Sequence, residues 1–331
     1  MRRLQLGMTA LALSLMGLFL LKFVDREGKP VTVRLAPQPS QPRVSPAEAG
    51  IDSAALDAAA EFAGKQGTLA LVVGRNGHIV FEKYWDNTNF ETPVDTGFEP
   101  VLAALVVGTA FEDRLMHSLD EPLANYVPDL GEPRKSYTLR ELLAGDHAEV
   151  TVAEATDLLA LALERVTKQP WQYVVAQRLW SPLGGGDLVF HQGDSKLRPA
   201  GVSAGCCLRA RIGDWMRVGE LLLNGGIYEG NELMPPRYAS LVTSPSHEHA
   251  PRGFFTRLDG SFADRVVWLE GFQHQRLWVV PALRLTVLRI GDEPSSGWDE
   301  ATIPDSIIRG TSGWRPPVSG RDVDPKKFAP H

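Results

Sequence analysis

Short apolar runs of strand length lie towards both ends of the chain, with a long stretch of helix-period apolar positions between them. This distribution restricts the architecture more than any other feature. Residues 69–73 and 78–84 flank Arg75-Asn76-Gly77, whose Asn-Gly pair accepts positive φ at little cost, so the spacing predicts a hairpin. Residues 266–270, 276–280 and 285–289 are apolar or alternating and separated by turn formers, which predicts three more strands. Between the two groups, 101–112, 139–143, 153–166, 171–180 and 212–223 carry apolar residues at helical spacing between Pro or Gly breaks. Asp52 is placed to cap a further helix through Ala63, with Gly64 as its stop, and 304–309 predicts a last one. Strands from both ends with helices between them specify one antiparallel sheet built from the two ends of the chain, flanked by helices, with a mostly helical region over about 97–239 beside it. The fold class is α/β in the α+β sense.

The 331 residues are 44% hydrophobic and 22% charged, enough for a large core. A net charge of -6, drawn from both signs spread along the chain, provides no basic block for a phosphate backbone, so nucleic acid is not an expected partner. Arg2 and Arg3 precede an uncharged, mostly apolar stretch over 4–21, closed by Lys22. At about 1.5 Å per residue this stretch is just long enough to cross a hydrocarbon layer of about 30 Å. It runs into Lys-Phe-Val-Asp-Arg-Glu rather than an Ala-x-Ala cleavage site, so residues 1–24 read as an uncleaved signal anchor with the body on the periplasmic, extracytoplasmic side. Residues 25–44, rich in Pro and Gln, read as an extended linker, 45–316 as the folded body, and 317–331 as a tail. The adjacent Cys206 and Cys207 have no partner Cys elsewhere and read as small core residues without redox or metal duty.

The order of several blocks resembles that of the β-lactamase-related serine hydrolases, a penicillin-binding-protein-like group that includes carboxylesterases, D-aminopeptidases and aminohexanoate-dimer hydrolases. The run Leu69-Ala-Leu-Val-Val-Gly-Arg-Asn-Gly-His-Ile-Val-Phe-Glu-Lys-Tyr84 is similar to the family's opening hairpin. Leu105-Val-Val-Gly108, Ser118-Leu-Asp-Glu-Pro-Leu-Ala-Asn-Tyr-Val-Pro-Asp-Leu130, Arg178-Leu-Trp-Ser-Pro-Leu-Gly184, Arg209-Ala-Arg-Ile-Gly-Asp-Trp215 and Gln275-Arg-Leu-Trp-Val-Val-Pro281 resemble later blocks in the family's order. The resemblance implies the serine β-lactamase/penicillin-binding-protein-like fold over about 45–310.

It also implies a catalytic set that this chain lacks. The family's Ser-x-x-Lys places a hydroxyl and an amine on one helical face, where the amine can take the hydroxyl's proton. The aligned residues here are Gly97-Phe-Glu-Pro100, and the chain contains no Ser-x-x-Lys. The family's Tyr-x-Asn relay finds no tyrosine over 147–156, and its pocket strand, Lys/His-x-Gly, aligns loosely with Glu270-Gly271-Phe272-Gln273-His274. Loss of a nucleophile alone removes nearly all the acceleration such a unit supplies.

Gly201-Val-Ser-Ala-Gly205 fits the nucleophile-elbow pattern around Ser203, but Pro199 precedes it and no helix follows at once. Glu99 beside the vacant serine position can serve as acid or base if buried, or as a helix N-terminal carboxylate. His274, His147, His247 and His249 lie near the pocket loops, and His247-Glu-His249 lacks a third metal ligand. Neither metal nor cofactor is expected. Arg211 and Asp214 read as an i, i+3 pair, and Trp171, Trp180 and Trp215 as core.

The chain is thus expected to be a membrane-anchored, catalytically inactive homologue whose vestigial cleft, around Gly97, Glu99, Gly271, Gln273 and His274, binds a peptide, a cell-wall fragment or a protein partner. The alternative is an active esterase or amidase that uses Ser203. A third reading, a scaffold, requires side chains to fill the cleft around Gly97 and Gly271.

Overall fold

A computed structural model describes residues 30–145, 149–192, 197, 201–247, 250–259 and 262–316. The anchor expected over 1–24 and the tail expected over 317–331 lie outside the described residues, as do His147 and His249. No helix among the described residues is long and apolar enough to cross a membrane.

In chain order the elements are β1 (Val31–Val33), α1 (Ser53–Lys65), β2 (Thr68–Arg75), β3 (His78–Tyr84), β4 (Pro93–Asp95), α2 (Glu99–Glu112), α3 (Leu139–Ala144), α4 (Val152–Thr167) and α5 (Trp171–Val175), the last continued by a π turn over Ala176–Trp180. They continue with β5 (Leu188–Phe190), β6 (Leu208–Arg211), α6 (Ile212–Leu223), β7 (Ile227–Tyr228), β8 (Asn231–Glu232), α7 (Pro236–Val242), β9 (Arg257–Asp259), β10 (Val266–Glu270), β11 (Arg276–Val280), β12 (Leu285–Gly291) and α8 (Thr302–Arg309).

The main sheet is antiparallel with strand order β3-β2-β12-β11-β10-β9, so the two ends of the chain meet where β2 pairs with β12, in register from Leu285 opposite Arg75 to Ile290 opposite Ala70. Its strands are apolar on both sides because both faces are covered. Leu71, Val73, Trp278 and Val287 face α1 and α8, with Leu56, Ala63, Ile303 and Ile307. Ala70, Val72, Leu277 and Leu288 face the larger core of the helical region, which includes Leu102, Trp215 and Met216. Trp171, Trp180 and Trp215 are buried there as expected, and Arg211 pairs with Asp214. Asp52 accepts the Ala54 N–H and caps α1. That helix passes through Gly64 to Lys65, and the left-handed residue after it is Gly67.

A second sheet, β1-β5-β6-β4, is built from strands of three or four residues, too short for a period-two pattern to register in the sequence. It changes the reading of the Pro-rich segment. From residue 30 onward this segment is no free tether, for it enters as β1 and then straps the body. Gln38 N–H donates to Gly184 O at 3.0 Å, Ile79 N–H to Pro42 O at 2.9 Å and Val44 N–H to Ile79 O at 3.0 Å. The buried Arg217 donates to the Gln38 and Pro39 carbonyls at 3.1 and 2.8 Å. Prolines leave a chain rich in carbonyls and poor in N–H groups, and a partner arginine supplies the donors.

The most constrained side chain in the sheet is Arg289 of β12, which has no exposed surface. Its Nε donates to Thr68 Oγ1 at 3.0 Å, one Nη to the Gln273 and His274 carbonyls at 3.1 and 2.9 Å, and the other to the Gln66 and Asp292 carbonyls at 2.7 and 3.0 Å. The guanidinium also lies 4.9 Å from the centre of the Trp298 ring. Burial, with Arg276 nearby, lowers its pKa to about 10, so it remains charged at neutral pH. Arg289→Met would orphan four backbone carbonyls. We expect it to lose roughly 3 kcal/mol or more in urea unfolding, whereas Arg34→Gln, an exposed pair with Asp187, should change stability by less than about 1 kcal/mol.

Candidate functional site

The segment that leads into α2 sets the geometry. Thr96 Oγ1 accepts the Phe98 N–H at 3.3 Å, Gly97 turns the chain with φ +79°, and Phe98 is fully buried edge-on to Trp215, with ring centres 5.2 Å apart. Pro100 occupies the first turn of α2, where its missing N–H costs nothing. Here the chain offers no amine.

Opposite this segment lies the turn between β10 and β11. Phe272 N–H donates to Thr96 O at 3.0 Å, and Gln275 Nε2 donates to Asp95 O at 3.0 Å. Gly271 runs so close to the Thr96 carbonyl that a Cβ would collide with it. A Cβ at Gly97 would come within 2.8 Å of Phe272 N and 3.1 Å of the Phe272 ring. The space that a side chain at position 97 would need is taken by the backbone and ring of Phe272.

The other residues singled out in the sequence are drawn to different places. Glu99 is 3% exposed and borders an enclosed space lined also by Leu102, Trp171, Phe190 and Ser203. Its Oε1 accepts the Leu208 N–H at 2.7 Å and ties β6 to α2, while Oε2 has no hydrogen-bond partner among the described residues. Burial raises its pKa, opposed by backbone N–H groups. Ser203 is buried, with its Oγ 3.4 Å from Asp157 Oδ1 and accepting the Gly205 N–H at 3.3 Å. Asp157 also accepts the Ala204 N–H at 2.6 Å, so Gly201 to Gly205 is a turn pinned to α4, followed by β6 and no helix.

Gln273 and His274 have left-handed backbones, φ 49° and 56°, with their carbonyls held by Arg289. His274 Nδ1 lies 3.3 Å from Glu293, and its ring is edge-on to Trp298. Of the expected ligand-lining set, Gly97 and Gly271 therefore come together, whereas Glu99 is tied to β6 and His274 lies against Glu293 and Trp298. Cys206 and Cys207 need correction: they are half-buried and joined to each other as a disulfide, and Cys207 adopts φ +72°. Among the described residues no group of three or more His, Cys, Asp or Glu is placed to hold a metal.

Phe272, Asp157 and Arg289 were missed in the sequence. A bulky aromatic after Gly271 and an arginine inside an otherwise apolar strand were the available signals. Because folding raises the pKa of Glu99, its stabilising contribution is complete below the unfolded value of about 4.3 and is lost as pH rises through the folded one. Glu99→Gln should therefore melt progressively closer to, or above, the wild type as pH is raised from about 4 to 8, measured by thermal unfolding. Parallel melting curves across that range would contradict the assignment.

No protein-family profile and no curated protein matches the chain. Solved structures match it in shape. A putative 6-aminohexanoate-dimer hydrolase from Bacillus anthracis superposes with a TM-score of 0.67 at 16% identity, over 85% of this chain and 89% of that one. A class C β-lactamase from Rhodobacter sphaeroides gives 0.59 at 12%, over 78% and 98%. A family VIII carboxylesterase gives 0.58 at 13%, over 78% and 98%. At such identities the likeness is one of fold, and the chain has the fold of the serine β-lactamases and penicillin-binding proteins.

Proposed function

We propose that the protein is a non-catalytic relative of the serine hydrolases that share its fold, tethered by its N-terminal stretch with its body outside the cytoplasm, and that it acts by binding a peptide, a cell-wall fragment or a protein partner. The observation that carries the non-catalytic part of this reading is the seating of Phe272 against Gly97, which is also what a scaffold requires; the groove left open beside it favours a binding role. Restoring a nucleophile would need more than a hydroxyl, because the space that hydroxyl would occupy is closed by a backbone hydrogen bond and an aromatic ring. Pro100 removes the base from the same helical turn, and proton abstraction from a serine needs such a base within hydrogen-bond reach.

Ser203 does not supply a replacement centre. Its hydroxyl meets a buried carboxylate and a backbone N–H, and its turn lacks the strand-to-helix geometry that exposes an elbow nucleophile.

The test is covalent labelling of the full-length protein with a fluorescent fluorophosphonate and a fluorescent penicillin, resolved on a denaturing gel. No labelling is expected from either probe, with folding verified by a cooperative melt. Labelling that maps to a single serine would establish a working nucleophile and end this reading.

A further inference from the structure

Beside the closed nucleophile position a small groove of about 100 Å³ remains at the start of α2. Its apolar walls include Val101, Val152 and Phe255, and Arg252, Arg257 and Glu270 line it as well. Arg257 is paired with Glu270 at 2.8 Å, and Glu270 is shared with Arg276 at 3.4 Å. Arg252 differs. It is half-buried, its Nη1 sits over Gly145 at the left-handed C-cap of α3, and no carboxylate among the described residues pairs with it.

A cation at a helix C-terminus is favoured by the dipole, yet a guanidinium against apolar walls gains far more from a carboxylate. The apolar surface nearby is also unusual. Four large hydrophobic residues are exposed among the described ones, and the most exposed of them, Val152 at 49%, forms part of the groove wall. An arginine with no carboxylate partner among the described residues, bordered by the uncovered Val152 side chain, is the complement of a chain that carries a carboxylate next to an apolar residue.

We infer that this groove docks an extended segment of a partner protein, which sets an Asp or Glu side chain against Arg252 and a neighbouring aliphatic side chain against Val152 and Phe255. The inference rests on the non-catalytic reading, since a hydrolase would turn over what it holds there. The groove is small, about 100 Å³, so the contact is of the small, transient kind.

The test uses the full-length protein and two fluorescein-labelled, C-terminally amidated peptides, Leu-Asp-Leu-Val and its Asn counterpart Leu-Asn-Leu-Val, followed by fluorescence anisotropy. The Asp peptide is expected to bind about tenfold or more tightly than the Asn peptide, consistent with one charge-assisted contact. Arg252→Gln should erase that preference, and Arg34→Gln, on a surface remote from the groove, should retain it. Equal affinity for the two peptides, a preference that survives in Arg252→Gln, or no binding of the Asp peptide would each overturn the inference. Serine labelling by the fluorophosphonate would instead overturn the non-catalytic reading, so the two failures are separable.

Discussion

Arg289 organises the junction on which the proposed function rests. A guanidinium has five N–H donors and no acceptor, so burying one obliges the surrounding chain to present oxygen atoms from several directions. Here they come from the end of α1, the start of β2, the turn after β12 and the two left-handed residues between β10 and β11. Gln273 and His274 would ordinarily resist positive φ. Two charge-assisted bonds to their carbonyls hold them there, and that turn in turn presents Phe272 N–H to Thr96 and the Phe272 ring to Gly97. Closure at Gly97 is thus anchored in the sheet interior and is not a loose side chain folded over a cleft.

On the other side of α2 the restraint comes from buried carboxylates. Glu99 holds the Leu208 N–H and Asp157 holds the Ala204 N–H, so the stretch that resembles a nucleophile elbow is tied to α4 and the strand after it to α2. Carboxylates that accept backbone N–H groups at such positions order a loop, and their cost is the desolvation that raises the pKa of Glu99. The polar residues nearest Gly97 are consequently spent on structure. Next to them, at the start of α2, the groove around Arg252 stays open.

The large sheet and its helices were legible because Leu69-Ala-Leu-Val-Val, the Asn76-Gly77 turn and the paired apolar runs at the end of the chain carry long-period signals that local packing does not contradict. β1, β5 and β6 were not legible, since strands this short are specified by their neighbours, as the strap is by Arg217. Within the site, the absence of a serine and a lysine at Gly97 and Pro100 could be read directly. That Phe272 fills the same space could not, because it depends on two left-handed residues whose stabilising guanidinium comes from a strand 15 residues further along. The pairing of Cys206 with Cys207 was likewise misread, as the geometry demanded of sequence neighbours argued against it.

The most direct measurement is hydrogen exchange at the Phe272 amide in the full-length protein. The Phe272 residue is about half exposed, so its amide would exchange rapidly if the turn only brushed against α2. A bond to Thr96 anchored through Arg289 predicts strong protection, comparable with the amides of β11. Exchange near the unstructured rate would contradict closure of the nucleophile position and reopen the cleft as a site for chemistry.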